Sequence, residues 1–438
     1  MALVHVPHGG GDPERVERAR RRVRRGDGLA DALKAIARNT VFTTHTPVPA
    51  GNETFDRDLV RKYLEPWTRD VGCEMDTALG LGSENGHFNL TVLAIRHSTS
   101  VNGVSRLHGQ VSSDMWRHLF PGQPEAPVGH VTNGVHTETW IGPEMRSLYA
   151  HHLGPNWEEH LLEPDFWERI REVPDTELWA AHRSQKERLI RFIRERLRTQ
   201  SARHGMAPDS LRQLESLLDP HALTIGFARR FATYKRAVLV LSDLERLRGI
   251  LMDRERPVQI VFAGKAHPAD RAGQDFIRQL FLLTQDEFRG RLVFLEDYDM
   301  EMGRMLVQGC DVWLNTPRRP QEASGTSGQK CPINGGINLS VMDGWWAEGY
   351  RGDNGWAIGN GEPVSSEEED ALDAEALYSL LEDDVVPRFF ERGEDGLPHR
   401  WVEMMKASIE SVVPQFSAHR MVRDYAERIY LPAARRRG

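Results

Sequence analysis

The sequence predicts an α/β fold in which helices cover both faces of a parallel sheet. Four short apolar runs rich in Val, Ile, Leu and Phe follow one another in the second half of the chain, namely "ALTIGFA", "PVQIVFAGK", "RLVFLEDY" and "CDVWLNT". Helical patterns such as "YKRAVLVLSDLERLRGILM" and "HPADRAGQDFIRQLFLLT" separate these runs. Strands that alternate with helices at this spacing form a parallel sheet, because each crossover places a helix on one of its faces.

The composition is ordinary for a globular protein and disfavours two classes of partner. The 438 residues are 39% hydrophobic and 27% charged, which is typical of a globular chain. No apolar run approaches the roughly 18 residues that span a bilayer. The net charge of −8 argues against a general nucleic-acid binder. We therefore expect neither a membrane nor a nucleic acid among the partners.

The start of the chain and the cysteines indicate the compartment. The opening "MALVHVPHGGGDPERVERARRRVRRGD" is polar and rich in arginine, and it lacks the apolar centre of a secretory signal. Cys73, Cys310 and Cys331 show no metal-ligand spacing and are too few for a disulfide framework. These features suit a reducing compartment. The sequence therefore predicts a cytoplasmic protein without a metal site.

The remaining elements follow from local patterns. "TVFTTHTPVP", from Thr40, predicts a short buried strand that runs into a Pro-rich loop. A glycine-punctuated turn at 80–88 resembles a dinucleotide fingerprint only loosely, and no strand precedes it. The segment from about Asp165 to Leu218 has the helical period and no strands. "SSEEEDALDAEAL" (365–377) predicts a helix with a capped start, and "FSAHRMVRDYAERIYLP" predicts one amphipathic helix.

Ligands of parallel sheets bind at the carboxyl ends of the strands, so the loops after the strands are the candidate sites. These loops are "ARRFATYKR" (228–236), "GKAHPAD" (264–270), "DYDMEMG" (297–303) and "PRRPQEASGTSGQK" (317–330). Three of the seven lysines in the chain fall within them. Because arginine is far more common than lysine here, the lysines are the more informative cations.

The loop "ARRFATYKR" predicts an anion site. It places Arg229, Arg230 and Lys235 after a strand and near the expected N-terminus of a helix. Fixed cations together with unpaired backbone N–H groups bind phosphate. Three solvated surface cations are the alternative, and the position at a strand end favours the site.

The segment "EASGTSGQK" (322–330) predicts a second anion site. Ser324 or Thr326 can cap a helix, which leaves the amides of Thr326, Ser327 and Gly328 to hold an anion. The segment is not a phosphate-binding P-loop, because its spacing differs and a cysteine follows the lysine. Two neighbouring anion sites with one lysine between them suggest a covalently held, phosphate-bearing cofactor. A plain helix cap with a surface lysine remains the alternative.

Six stretches together resemble the α-glucan (glycogen, starch, maltodextrin) phosphorylase family, in its bacterial branch. They are "VFTTHTPVPAGNETF", "VNGVSRLHG", "VTNGVHTETW", "GFARRFATYKRA", "VFAGKAHPAD" and "EASGTSGQKCPINGGINLSVMDGWW". They occur in the family's order from about residue 28 to the end. The resemblance implies a GT-B type glycosyltransferase fold and a pyridoxal 5′-phosphate enzyme. Such an enzyme transfers a terminal α-1,4-linked glucosyl unit to inorganic phosphate and releases glucose 1-phosphate with retention.

The resemblance also implies roles around the cofactor and the phosphate. Lys330 matches the lysine that holds pyridoxal phosphate as an imine. Arg230 and Lys235 match the pair that binds the substrate phosphate, and they count with His45 and Lys330 as the catalytic set. The positions that match cofactor-binding groups are Lys330, Trp140, Tyr298, Arg229, Thr326 and Ser327.

For the sugar, the resemblance implies a second set of residues. His45 matches the histidine whose backbone carbonyl lies beneath the glucosyl carbon. The residues that match groups binding sugar hydroxyls are Asn133, Tyr234, Glu322, Ser324 and Gly325. Taken singly, these positions also fit loop hydrogen bonds or a helix cap. Lys265, His267 and His108 lie in family-like motifs and receive no chemical role.

The resemblance implies a domain division with one part missing. Residues 1–133 match a remnant of the N-terminal GT-B domain, and 134–415 match a complete C-terminal Rossmann-like domain with a helical insertion at about 155–218. Residues 416–438 would form a helix that packs back toward the N-terminal part. Family members carry a further N-terminal half. We therefore expect weakened cofactor binding and little phosphorolysis, unless a partner supplies that half. A homodimer is the other assembly that the resemblance implies. Asp299 stands where relatives often carry a basic residue, which weakens one cofactor contact.

Two other functions remain open from the sequence. A GT-B transferase that uses a nucleotide sugar would need the same cations, since Arg230, Lys235 and Glu322 suit a sugar diphosphate. A non-catalytic remnant or a glucan-binding module is the third hypothesis. The chemistry of Lys330 distinguishes a phosphorylase from a transferase that uses a nucleotide sugar, because only a phosphorylase needs the amine to hold a cofactor.

Overall fold

The computed structural model describes residues 4–7, 12–285, 287–359, 361 and 365–435, and the chain divides into two units. Unit 1 contains Met1–Asn133, Pro320–Ser324 and Met421–Gly438, and unit 2 contains Gly134–Arg319 and Gly325–Arg420. Each unit has its own parallel sheet. The mixed α/β architecture with parallel strands confirms the fold class expected from the sequence.

Unit 1 has a parallel and an antiparallel sheet. Its strands are β1 (Val4–Pro7), β2 (Thr40–Thr43), β3 (Thr54–Phe55), β4 (Ser83–Glu84), β5 (His87–Asn89), β6 (Ser100–Gly103) and β7 (Val128–His130). The parallel sheet has the order β1-β2-β6-β7, and the antiparallel sheet has the order β3-β5-β4. The helices are α1 (Asp12–Val23), α2 (Leu29–Ala37), α3 (Arg57–Val71), α4 (Met75–Gly80), α5 (Leu90–Arg96) and α6 (Arg106–Met115).

Short polar residues set the helix ends in unit 1. The Asp56 carboxylate caps α3 by accepting from two backbone amides, and α3 ends at Gly72, which adopts φ +66. Ser105 caps α6 by accepting from His108 N. Such caps satisfy amides that the first helical turn leaves unpaired. The strand expected from Thr40 is confirmed as β2, which is buried throughout.

Unit 2 contains a six-stranded parallel sheet. Its strands are β8 (Leu223–Ala228), β9 (Val258–Ala263), β10 (Leu292–Leu295), β11 (Val312–Asn315), β12 (Ile337–Val341) and β13 (Gly355–Ile358). Their order is β10-β9-β8-β11-β12-β13. The chain therefore builds outward from β8 to one edge, then crosses to β11 and builds to the other edge. Ligands of doubly wound sheets bind where the order reverses, here at the carboxyl ends of β8 and β11.

Along the chain, the helices of unit 2 precede, separate and follow the strands of this sheet. They are α7 (Thr137–Trp140), α8 (Pro143–His152), α9 (Pro164–Trp167), α10 (Asp175–Arg203), α11 (Pro208–Gln213), α12 (Leu244–Leu251), α13 (Arg271–Gln285), α14 (Met300–Gly309), α15 (Trp346–Gly349), α16 (Ser366–Leu380), α17 (Val386–Phe390) and α18 (His399–Gln415). The chain ends with α19 (Ala418–Tyr425), a π-helical turn (Ala426–Tyr430) and α20 (Leu431–Arg435). Within the described residues, no helix is long and apolar enough to cross a membrane.

Several predicted elements are confirmed. The four apolar runs form β8 to β11, and all four strands are buried along their length. The charged segment 165–218 is helical, and α10 alone spans 29 residues. The acidic helix α16 begins with a capping box, in which Ser365 and Glu368 satisfy each other's backbone amides.

Two expected helix starts are wrong. After β8, "ARRFATYKR" leads into two short 3-10 turns (Thr233–Lys235 and Leu239–Leu241), and α12 begins only after the capping residue Asp243. Arg236 adopts φ +46, which ends the first turn and prevents a continuous helix. The segment "EASGTSGQK" also starts no α-helix. It forms consecutive turns that lead to a 3-10 helix at Pro332–Asn334.

Candidate functional site

Hydrogen bonds join the loops that follow β8 and β11 in unit 2. Tyr234 O accepts from Arg318 N at 2.6 Å. Thr316 Oγ1 bonds the carbonyls of Lys235 and Arg236 at 3.1 Å each. The two loops are therefore fixed to each other at the point where the strand order reverses.

The three predicted cations of the β8 loop differ in burial. Lys235 is only 6% exposed, Arg229 is half-buried and Arg230 is exposed. The Lys235 ammonium lies 4.7 Å from the centroid of the Tyr234 ring, where the negative face of the ring attracts it. A cation held away from bulk water interacts strongly with an anion. The description as three solvated surface cations therefore fails for Lys235.

The small-residue segment Gly325–Gly328 forms a turn whose residues are half-buried or buried. Gln329 N donates to Thr326 O and Lys330 N to Ser327 O, both at 3.2 Å. Within the described chain, the amides of Thr326 and Ser327 donate to no backbone carbonyl. Successive free amides in a turn form an anion-binding concavity even without an α-helix. The predicted anion site therefore does not require a helix, because the amides of Thr326 and Ser327 can supply the donors.

This turn rests directly on the sheet. Ser327 Oγ donates to Asn315 Oδ1 at 3.3 Å, and Asn315 Nδ2 donates to Asn338 Oδ1 at 3.2 Å. A Cβ atom on Gly328 would lie 2.5 Å from Asn338 Oδ1, so only glycine fits. Gly325 adopts φ +78, a conformation that glycine reaches without strain. The ends of β11 and β12 thus hold the turn in one place.

The Lys330 amine lies against an aromatic face. Its Nζ is 3.7 Å from the centroid of the Trp140 ring. Burial lowers the pKa of Lys330, and the neighbouring Cys331 opposes this only in part. A lysine with a lowered pKa has more of the neutral amine at a given pH, and the neutral amine is the form that attacks a carbonyl carbon.

Tyr298 belongs to the same cluster. Trp140 and Tyr298 both pack, partly buried, on the apolar cluster that contains Cys331. A Cβ on Gly303 would lie 2.7 Å from Tyr298 Oη and 3.9 Å from Trp140 Cζ3, so both rings reach α14 at its glycine. Burial raises the pKa of Tyr298, and Asp299 and Cys331 act in the same direction. Tyr298 therefore keeps its hydroxyl proton at neutral pH.

Asp299 has a structural role. Its Oδ1 accepts from Met302 N at 2.8 Å and so caps α14, and its other oxygen pairs with Arg196. Burial alone raises the pKa of Asp299, but the capping amide and Arg196 outweigh it, and the pKa lies below its ordinary value. The helix cap explains an acidic residue at this position.

Sequence reasoning missed Arg236, which holds the two loops together. Its guanidinium is buried and donates to Thr316 O at 3.0 Å and Pro317 O at 2.8 Å. The same guanidinium pairs with Asp370 and Asp373 on α16. Burial raises the pKa of Asp373, and Arg236 opposes this. Both adjacent cations, Lys235 and Arg236, are buried, and nothing in "ATYKR" indicates that Arg236 bonds α16 and the loop after β11.

Four predicted residues belong to unit 1. His45 is exposed and follows β2 by two residues. Asn133 follows β7, and its amide donates to Val104 O at 2.9 Å. The predicted residues Glu322 and Ser324 flank Ala323, whose carbonyl accepts from Ser105 Oγ at 2.7 Å at the start of α6. All four therefore gather at the carboxyl ends of neighbouring parallel strands.

The motif residues without an assigned role have structural surroundings. Lys265 and His267 are exposed on the loop after β9, and Lys265 O accepts from Phe231 N at 3.0 Å. His108 is buried, and its Nδ1 accepts from Val104 N at 3.1 Å. These contacts maintain loops and a helix start.

The chain is similar to known proteins over most of its length. The profile of the family described as carbohydrate phosphorylase matches residues 52–349. A maltodextrin phosphorylase of Thermococcus litoralis is 45% identical over 99% of this chain and 51% of its own length. Glycogen phosphorylases of Aquifex aeolicus and Mycobacterium tuberculosis are 44% and 43% identical over 91% and 92% of this chain, and 58% and 48% of their own lengths. The chain thus spans about half the length of the curated relatives it matches.

Proposed function

The chain belongs to the carbohydrate phosphorylase family, and from that membership we propose that it is an α-glucan phosphorylase with a GT-B fold. The proposed reaction transfers a terminal α-1,4-linked glucosyl unit to inorganic phosphate and yields glucose 1-phosphate with retention. The observation that carries the proposal is the half-buried Lys330 amine, whose Nζ lies 3.7 Å from the centroid of the Trp140 ring.

The residues around Lys330 fit pyridoxal 5′-phosphate. The amine is half-buried with a lowered pKa, which suits attachment to the aldehyde carbon with release of water. Trp140 and Tyr298 supply the apolar sides for a flat ring, and Arg229 and the amides of Thr326 and Ser327 supply donors for its phosphate. When bound, the cofactor would supply a phosphate group that can donate and accept a proton.

The substrate phosphate would lie against the β8 loop. Arg230 and Lys235 bind and orient it as fixed cations, and Lys235 Nζ donates a hydrogen bond to it. Charges preorganised in a site from which water is excluded stabilise a transition state more than charges in water do. Sugar hydroxyls would meet Tyr234 and Gly325.

The resemblance assigns the remaining sugar contacts to four further residues. The His45 backbone carbonyl would stabilise the glucosyl carbon, and Asn133, Glu322 and Ser324 would bind hydroxyls. We further propose that residues 1–133 belong to an N-terminal GT-B domain and that 134–415 form the C-terminal Rossmann-like domain. The segment 416–438 would pack back on the N-terminal part. The proposed partner is a second polypeptide or a second copy of the chain, and the proposed location is the cytoplasm.

The test is a borohydride reduction of the chain saturated with pyridoxal 5′-phosphate, followed by peptide mass spectrometry. We expect a pyridoxyl group on Lys330, and K330R should remove it. A parent chain without this adduct would contradict the phosphorylase mechanism and favour a transferase that uses a nucleotide sugar. Release of glucose 1-phosphate from maltoheptaose and phosphate, abolished in K330R, would exclude a glucan-binding module.

A further inference from the structure

We propose that Asn334 is a positioning residue that fixes Lys330 against Trp140. This inference rests on the proposed function, because it concerns the lysine that would hold the cofactor. Asn334 would not touch the reacting atoms. It would act through the backbone of Lys330 and so determine where the amine lies and how well water reaches it.

The Asn334 carboxamide links two distant segments of unit 2. Its Nδ2 donates to Trp140 O at 3.0 Å and to Lys330 O at 3.3 Å. Its Oδ1 accepts from Gly142 N at 2.7 Å. Asn334 is fully buried, so these partners cannot turn to water if the carboxamide is removed. One side chain therefore fixes the spacing between the lysine and the aromatic residue beneath its amine.

The backbone of Asn334 is held from the opposite side by α10. Its carbonyl accepts from His182 Nδ1 at 2.8 Å and from Gln185 Nε2 at 3.1 Å. Gly335 follows with φ +80, and a Cβ there would lie 2.6 Å from Met405 Cε. The chain can therefore neither rotate nor shift at Asn334 without breaking buried contacts.

A buried charge cluster anchors α10 to the sheet. The Asp311 carboxylate lies 3.0 Å from His182 Nε2 and accepts from Lys186 Nζ at 2.8 Å and from Thr224 N at 2.8 Å. Burial by itself raises the pKa of Asp311, but Lys186 and His182 outweigh it and keep the pKa below its ordinary value. Asp311 directly precedes β11, and Thr224 lies in β8.

A buried charge cluster of this kind contributes little net free energy to the stability of a fold. Desolvation of buried ion pairs offsets most of their attraction, and well-packed apolar residues often replace them at no loss of stability. A role in fixing geometry accounts for the cluster better than a role in stability. The cluster ties the two strands at the reversal point to α10, and α10 holds Asn334 and hence the Lys330 backbone.

The test compares N334A with N354A by competitive acetylation of Lys330 across pH. Asn354 is an equally buried carboxamide that donates to Gly349 O and Ser411 Oγ and accepts from Arg351 N. It therefore serves as a control for general loss of stability. Peptide mass spectrometry separates the seven lysines, and the exposed Lys265 is the internal standard. The apparent affinity for pyridoxal 5′-phosphate is measured on the same proteins.

In N334A, the acetylation rate of Lys330 at high pH should rise about tenfold, because lost hydrogen bonds of this kind are worth a tenfold factor or more. Its pH midpoint should rise, because a less buried amine keeps its proton to a higher pH, and the affinity for pyridoxal 5′-phosphate should fall by a similar factor. N354A should leave the acetylation rate of Lys330, its pH midpoint and the affinity for pyridoxal 5′-phosphate close to the parent values, although its melting temperature falls as much as that of N334A. If N334A does not fold, H182Q takes its place, because it leaves the Asn334 carboxamide intact. H182Q should give the same changes to a smaller extent.

Identical Lys330 profiles in N334A, N354A and the parent would overturn the proposal, as would equal changes in the two variants. The acetylation readout does not need the cofactor. A parent chain that binds no pyridoxal 5′-phosphate would therefore contradict the proposed function while the acetylation profiles still decide the role of Asn334.

Discussion

At the scale of single residues, Lys330 shows how far a motif can be interpreted. The sequence indicated that this lysine was chemically special because lysine is scarce and stands at the end of a small-residue turn. Its contact with Trp140, which lies 190 positions earlier in the numbering, could not be derived from spacing. The contact matters because burial there lowers the pKa of the amine.

The pH dependence of adduct formation follows from this lowered pKa. Because the neutral amine reacts, the yield of borohydride-trapped pyridoxyl-Lys330 should reach half its maximum at a pH below the value of about 10.4 for an ordinary lysine. Exposed Lys265, labelled in the same reaction, is the reference lysine. Coincident curves for the two lysines would contradict the argument. The measurement is quantitative peptide mass spectrometry after reduction at a series of pH values.

Arg236 supports a second prediction at the residue scale. R236K should lower the free energy of unfolding by about 3 kcal/mol, because one ammonium cannot replace a guanidinium that serves two carbonyls and two carboxylates, and breaking a buried pair leaves Asp373 uncompensated. Adding D373N should recover part of the loss, which a double-mutant cycle measures.

The control for this prediction is R246K. Arg246 pairs with Glu375 and Glu382 at a more exposed position, and exposed pairs contribute at most about 1 kcal/mol. Equal losses in R236K and R246K, measured by urea unfolding, would show that burial of the Arg236 pair is unimportant.

At the scale of elements, the strands were easier to predict than the helix starts. The runs that became β8 to β11 are continuous and apolar, as strands buried on both faces require. β12 carries the buried polar residues Asn338 and Ser340, so its sequence did not stand out as a core strand. Polar side chains are tolerated there because Asn338 bonds Asn315 below the turn.

The predictions of helix starts after β8 and β11 were wrong because local signals do not determine a helix. Caps and glycines show that a helix can begin, but tertiary contacts decide whether it does. In one loop the left-handed Arg236 turns inward to α16, and in the other Gly328 must lie flat on Asn338. Both determinants are tertiary partners that lie outside the predicted helix starts.

A contact between the first turns of α10 and α18 gives a prediction for pH and stability. His399 pairs with Asp175 at 2.7 Å and with Asp395 at 3.0 Å, and Lys406 also pairs with Asp175. The hydrogen bonds that the His399 imidazole donates to Asp175 and, less strongly, to Asp395 raise the pKa of His399. A raised pKa of a base means that its stabilising contribution is complete below the unfolded value of about 6.5 and is lost as pH rises through the folded value.

H399Q should therefore destabilise the chain more at about pH 6 than at about pH 9. The measurement is the difference in urea midpoint between H399Q and the parent at the two pH values. H267Q, on an exposed loop, serves as the control. A destabilisation that is the same at both pH values would contradict the role of the charged imidazole.

At the scale of the whole molecule, the extent of the match determines what activity to expect. The relative from Thermococcus litoralis is matched over only 51% of its length, although nearly all of this chain is aligned. The part of the relative without a counterpart here would, by the family resemblance, help to close the catalytic cleft. An open cleft admits water, and water weakens the electrostatic contacts on which glucosyl transfer to phosphate would depend.

We therefore expect the chain alone to form the Lys330 adduct but to release little glucose 1-phosphate from maltoheptaose. Addition of a separately produced polypeptide that covers the unmatched half of the Thermococcus litoralis relative should raise this release. K330R with the same polypeptide is the matched control and should remain inactive, because the added half does not supply the lysine. Full activity of the chain alone would show that the unmatched half is dispensable. Unchanged low activity in the mixture, with the adduct present, would show that the chain does not accept that half as a partner.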